Sequence, residues 1–120
     1  MFLILPFPPS QNTLFKNIPG GRAKTTRYLD WDGEAYYQWL EQKKTCGSPI
    51  KGKFIYHIVL DENKRANRDG DNFNKAVLDF LQRVGMIEND SLADAGSWSW
   101  GPTDPGMCTV SVYQKGLQPA

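Results

Sequence analysis

The run Lys53-Phe54-Ile55-Tyr56-His57-Ile58-Val59-Leu60 narrows the fold more than any other stretch of the chain. It is aromatic and β-branched, bounded by turn residues, and mostly apolar on both faces. An extended segment of that kind belongs in the middle of a sheet, under cover from other elements. The cover is encoded downstream. Phe73, Val77, Phe80, Leu81 and Val84 fall at i, i+4, i+7, i+8 and i+11, the period of a helix with one apolar face. Asp71 is the candidate cap for its start, and Gly85 is a natural residue just past its end.

Around this centre the other elements can be placed. Residues 2–5 read as a short strand stopped by Pro6, which has no N–H to give a ladder. Residues 6–29 read as loop, with Pro8-Pro9-Ser10, Asn12 and Pro19-Gly20-Gly21. Asp30 or Asp32 is placed to cap a helix running to about Lys44, with Tyr36, Trp39 and Leu40 as its stripe and Gly47 and Pro49 ending it. Residues 61–71 form a polar loop, and 91–100 and 107–114 are two more strands around the turn at 101–106. The order β-α-β-α-β-β indicates an α+β fold with a mixed sheet and two main helices. A chain of 120 residues is expected to form a single domain, 1–120.

Composition removes whole classes of function. With 40% hydrophobic and 22% charged residues the chain is ordinary globular protein, neither disordered nor low-complexity. A net charge of +1 excludes a protein held on DNA by bulk charge alone, while leaving local patches open. Cys46 and Cys108 are too few for a disulfide scaffold, a cysteine-based zinc site or an iron–sulfur cluster, and free thiols fit a cytoplasmic location. The apolar run Phe2 to Leu5 is broken by Pro6, Pro8 and Pro9, so neither a signal peptide nor a membrane span is expected.

The chemistry concentrates in Arg68-Asp69-Gly70-Asp71-Asn72-Phe73-Asn74-Lys75. Two carboxylates at i, i+2 repel each other unless a hard cation lies between them. Lys75 follows Asp71 by one turn. A helix cap plus an i, i+4 ion pair would account for Asp71 and Lys75 but leaves Asp69 unexplained. A calcium loop fails. Counted from Asp69, the glycine position holds Asn74 and the final glutamate position holds Phe80; counted from Asn67, the glycine position holds Asn72. The segment Gly85-Met86-Ile87-Glu88-Asn89-Asp90 can return Asp90 toward the first two acids, making an all-oxygen set suited to Mg²⁺ or Mn²⁺, with Glu88 as a substitute ligand.

Three blocks in this order resemble the RusA family of Holliday junction resolvases, the crossover junction endodeoxyribonucleases often carried by prophages. They are Pro6-Phe7-Pro8-Pro9-Ser10-Gln11-Asn12, then Arg68-Asp69-Gly70-Asp71-Asn72 with Lys75 and Leu78-Asp79, then Gly85 to Asp90. The resemblance covers roughly residues 4–95. It implies a homodimer that resolves four-way junction DNA by paired symmetric nicks with Mg²⁺, in recombination and repair. It also implies that Asp69, Asp71 and Asp90 are catalytic, metal-associated aspartates and that Lys75 is the catalytic lysine. Asn89 stands where the family often has another Asp, and the segment 98–104 and the loop at 20–29 also depart from it.

Asn12, Lys16, Arg22, Lys24, Arg27 and Arg68 are the candidate DNA contacts; the stretch 6–29 holds no acid, and Lys64 and Arg65 lie near the aspartates. Phe7, Phe15 and Trp31 are expected in the core rather than stacked on bases, and His57 is expected to be a satisfied core residue. Trp98 and Trp100, on one face of a strand, are expected in the core or at a dimer contact. No base lies near Ser10 in the sequence, so a serine nucleophile has no support. Two other functions fit the same residues: a module that binds branched DNA without cutting it, and a less selective flap or branch nuclease.

Overall fold

In the computed structural model, which describes residues 1–116, the apolar run is a strand, β4 (Phe54–Asp61), whose Phe54, Ile58 and Leu60 are fully buried. Its position is central, as two apolar faces require. On one side β6 (Met107–Gln114) pairs antiparallel; on the other β5 (Ala93–Gly101) pairs parallel. The strand β1 (Phe2–Pro6) pairs antiparallel with the far side of β6, completing a mixed sheet in the order β1-β6-β4-β5. The turn after β5 therefore closes no hairpin. It carries the chain across the end of β4, where buried Asp61 accepts from the backbone N–H groups of Gly106 at 2.8 Å and Asn63 at 3.0 Å. Those two donors, Gly106 first, hold the Asp61 carboxyl below the ordinary carboxylate range.

The helix α2 (Asn74–Arg83) buries Ala76, Val77, Phe80 and Leu81, the face its periodicity marks out. Gly85 follows in the left-handed region, at φ 81°, where a side chain would be strained. The start differs from expectation. Asp71 caps nothing; it lies inside a 3-10 turn, Gly70–Phe73, and Phe73 takes the position before the helix. The first long helix, α1 (Thr26–Gln42), likewise begins ahead of Asp30 and Asp32. Its cap is Thr25, whose hydroxyl oxygen accepts from the Tyr28 N–H at 3.2 Å. Starting earlier turns the stripe: Tyr28, Trp31 and Ala35 are buried, whereas Tyr36 and Leu40 are exposed.

The stretch read as loop contains a hairpin, β2 (Phe15–Ile18) and β3 (Gly21–Lys24), closed by Pro19 and Gly20. Gly20 takes φ 86°, the geometry of a turn with proline first and glycine second.

Both helices cover one face of the sheet, where Leu3, Leu5, Cys108, Val110 and Val112 join the buried residues of β4. The other face carries Ile4, Ile55, Val59, Met107 and Tyr113, all half-buried. His57 stands on this uncovered face and not in the core. It is satisfied there, its Nδ1 2.6 Å from Ser97 Oγ and its Nε2 3.1 Å from Ser99 Oγ. The outer edge of β1 is closed by α1 and the turn after it: Gln42 bonds both the N–H (2.9 Å) and the carbonyl (2.7 Å) of Ile4. The Trp31 Nε1–H donates to the Pro6 carbonyl at 2.9 Å and the Phe2 N–H to the Cys46 carbonyl at 2.8 Å. Both cysteines are free and buried, and burial pushes the Cys108 thiol up to about 12. Among the described residues no helix is long and apolar enough to cross a membrane.

Candidate active site

A floor of aromatic rings holds the carboxylate loop. Gly70 lies on the indole of Trp98, so closely that a Cβ there would come within 2.3 Å of Trp98 Cε3. Phe73, buried, meets Phe7 edge-on at 5.1 Å and Trp100 at 6.1 Å. Trp98 and Trp100 share one face of β5, as their spacing predicts, and that face is turned to the interior of their own chain. The guanidinium of Arg68 sits 5.6 Å from the Phe7 ring centre and 5.7 Å from that of Phe73.

On this support Asp69 and Asp71 project outward. Both are exposed, and neither carboxylate has a hydrogen bond or an ion pair among the described residues. The reading of Asp71 as a helix cap paired with Lys75 is thereby removed. Lys75 turns elsewhere: its Nζ is 3.1 Å from Asp79 Oδ1 and 3.3 Å from Asp90 Oδ2. These carboxylates raise the Lys75 pKa above its ordinary value, the hydrogen bond that Lys75 donates to Asp79 being the largest cause. Asp90 reaches Lys75 because the chain turns back after Gly85 and is pinned, the Asp90 N–H donating to Gln82 Oε1 at 2.9 Å.

The two residues beside Asp90 have local work. Asn89 Oδ1 accepts from the Ser91 N–H at 2.9 Å and so caps the short turn Asp90–Leu92. Glu88 Oε1 accepts from the Gly52 N–H and ties down the loop before β4. Sequence reasoning missed Asp79 as a partner of Lys75, although its i+4 position carried the signal. The other oxygen of Asp79 accepts from the Tyr28 hydroxyl at 3.3 Å, and burial followed by Asp79 keeps that phenol well above its usual pKa.

Among the described residues no three histidine, cysteine, aspartate or glutamate side chains are gathered closely enough to hold a metal ion. Asp69, Asp71 and Asp90 therefore do not form a ready-made cage. Their chemistry still suits Mg²⁺, which keeps several waters and binds through one or two carboxylates together with substrate phosphates. The two free carboxylates at Asp69 and Asp71 meet that requirement.

Asp69 also stands on the wall of a cleft of about 750 Å³, together with Pro6, Pro8, Asn12, Arg27, Lys64 and Arg68. The first and second sequence blocks thus come together across this cleft. Lys16, Arg22 and Lys24 lie apart from it on the hairpin, where Arg22 covers Phe15 at 4.4 Å and Lys24 covers Tyr28 at 5.0 Å. Lys16, Arg22, Lys24, Arg27, Lys64, Arg65 and Arg68 are all exposed, and among the described residues none of them is ion-paired. Trp31 is buried against Phe80, while Phe7 and Phe15 are half-buried.

The decisive comparison is with the crossover junction endodeoxyribonuclease RusA of Aquifex aeolicus (strain VF5), 33% identical over 88 residues that make up 73% of this chain and 68% of that protein. The chain belongs to the RusA family. No protein-family model matches it. The α+β sheet with its two helices is consistent with a RusA-like fold. In this RusA-family chain the proline block lines the cleft, the second block contributes Arg68, Asp69 and Asn72 to it, and the last block carries Asp90 to Lys75.

Proposed function

We propose that the chain is a Mg²⁺-dependent, structure-selective endonuclease that resolves four-way DNA junctions, its whole length forming one nuclease domain. The observation that carries this reading is the unpartnered carboxylate of Asp69 on the wall of a cleft whose basic side chains are also unpaired, with a second unpartnered carboxylate, Asp71, two residues along the same loop. The cleft takes the phosphate backbone, gripped by Arg27 and Arg68 with Asn12 at its wall, and the hairpin residues Lys16, Arg22 and Lys24 hold flanking phosphates. Asp69, Asp71 and Asp90 would hold the Mg²⁺ ion, or Mn²⁺ in its place, which when bound offsets charge on the scissile phosphate and acidifies water. Lys75 supplies a fixed positive charge where negative charge develops on the phosphate oxygens. A homodimer, in which each copy makes one nick, matches the two-fold symmetry of the junction.

Asp69→Asn, Asp71→Asn and Asp90→Asn test the assignment with a labelled four-way junction. Each removes one charge and keeps the size. Cleavage in Mg²⁺ should fall by about a hundredfold or more, while junction binding without metal stays at the parental level or tightens, because a repulsive charge has gone. Near-parental cleavage by any of the three, with circular dichroism unchanged, contradicts the role given to that aspartate. A parent that binds the junction and never cuts is the binding module instead. Equal cleavage of junction, flap and linear duplex marks the less selective nuclease.

A further inference from the structure

Lys75 is a long, half-exposed side chain on the first turn of α2, and a free lysine there would sample many rotamers. It is held between two carboxylates instead. Asp79 lies one turn further along the same helix, and its oxygens are divided: Oδ1 receives Lys75 at 3.1 Å, Oδ2 receives the Tyr28 hydroxyl at 3.3 Å. Tyr28 is itself a rigid post. Its ring is 2% exposed, Phe15 packs edge-on against it at 5.8 Å, and its own N–H is bound by the Thr25 cap. The network thus runs from the start of α1 to the ammonium group, and beyond it to Asp90 at 3.3 Å. Building on the reading of Lys75 as catalytic, we propose that Asp79 is a positioning residue, anchored by Tyr28, that aims the Lys75 ammonium at the scissile phosphate.

The geometry favours this over a purely structural ion pair. A surface pair at i, i+4 needs no third partner and contributes little to stability. Asp79 spends its second oxygen on a buried phenol from another helix, which fixes the carboxylate's orientation as well as its charge. Lys75 then stays in place when Asp90 turns toward a cation.

The experiment is single-turnover cleavage of a labelled four-way junction at saturating enzyme and Mg²⁺, with junction affinity and the thermal midpoint measured alongside. Lys75→Ala comes first. If it cuts at the parental rate, the catalytic reading of Lys75 fails, and this proposal with it, before any Asp79 variant is made. Given that Lys75→Ala is inactive, Asp79→Asn should lower the cleavage rate by about tenfold or more, with junction affinity within about twofold of the parent and the midpoint retained. Asp79→Glu, which keeps the charge, should recover most of the rate, and Tyr28→Phe should lose a few-fold. A rate for Asp79→Asn within about twofold of the parent overturns the proposal. So does a loss that tracks falling affinity and midpoint, or one that Asp79→Glu fails to relieve, since either marks a fold-supporting pair.

Discussion

Gly70 is the residue on which the carboxylate loop turns, and not for its backbone angles. Its place flat on Trp98 leaves no room for a methyl group, which would meet Cε3, Cζ3 and Cδ2 of the indole at 2.3–2.8 Å. Gly70→Ala therefore has to lift the loop off the sheet and carry Asp69 and Asp71 with it. The overpacking should cost about 1–3 kcal/mol of stability. Displacing the carboxylates should cost roughly tenfold to a hundredfold in cleavage. Chemical denaturation and cleavage of a labelled junction measure the two effects, and parental cleavage would show that the loop need not rest on Trp98. The two carboxylates stood out in the sequence because a helix cap and an i, i+4 ion pair would account for Asp71 and Lys75 but not for Asp69. Of the two partners of Lys75, Asp79 was legible at i+4 and Asp90 was not. Asp90 meets it across 15 positions, a contact that depends on where α2 ends and how Gln82 and Asn89 pin the returning chain.

Among the elements, β4 and α2 could be read because burial leaves a periodic trace: apolar on both faces for the strand, every third or fourth residue for the helix. The hairpin β2–β3 left no such trace, since Lys16, Asn17, Ile18, Arg22 and Lys24 are all exposed and only Phe15 and Ala23 are half-buried. Its start and end could be taken only for loop punctuation. The cap of α1 was misplaced because Asp30 and Asp32 compete with Thr25 in sequence, and the exit of β3 at Lys24 decides in favour of Thr25. The same exposure gives the hairpin its use. With Arg22 and Lys24 unpaired in solvent and propped on Phe15 and Tyr28, two phosphate contacts are available at fixed positions. The double variant Arg22→Ala, Lys24→Ala should lower the slope of log affinity against log salt by roughly two, about one per lost contact. An unchanged slope would mean that the hairpin points away from the DNA.

At the scale of the whole molecule, two helices on one side leave the sheet with a bare face. An antiparallel sheet open to water normally turns polar residues outward, but Ile4, Ile55, Val59, Met107 and Tyr113 lie there beside the His57–Ser97–Ser99 cluster. Trp98 and Trp100, half-buried, support the chain's own carboxylate loop. This bare face is the apolar surface that the proposed homodimer would bury. Val59→Lys places two like charges near the two-fold axis of such a pair, and sedimentation at micromolar concentration should show a monomer with its thermal midpoint kept. An unaltered dimer would locate the contact elsewhere.

The bonds that Gln42, Trp31 and Cys46 make to β1 have a consequence for assembly. Sheets that add to one another end to end need two open margins, one to offer and one to receive, and filaments grow from such pairs. Here the β1 margin is already occupied, leaving only that of β5. Strand-by-strand growth can then proceed no further than one β5-to-β5 union, which exhausts both free margins at once. Three contacts along one strand, from Gln42, Trp31 and Cys46, thus take open-ended growth through β1 out of the ways in which this sheet can associate.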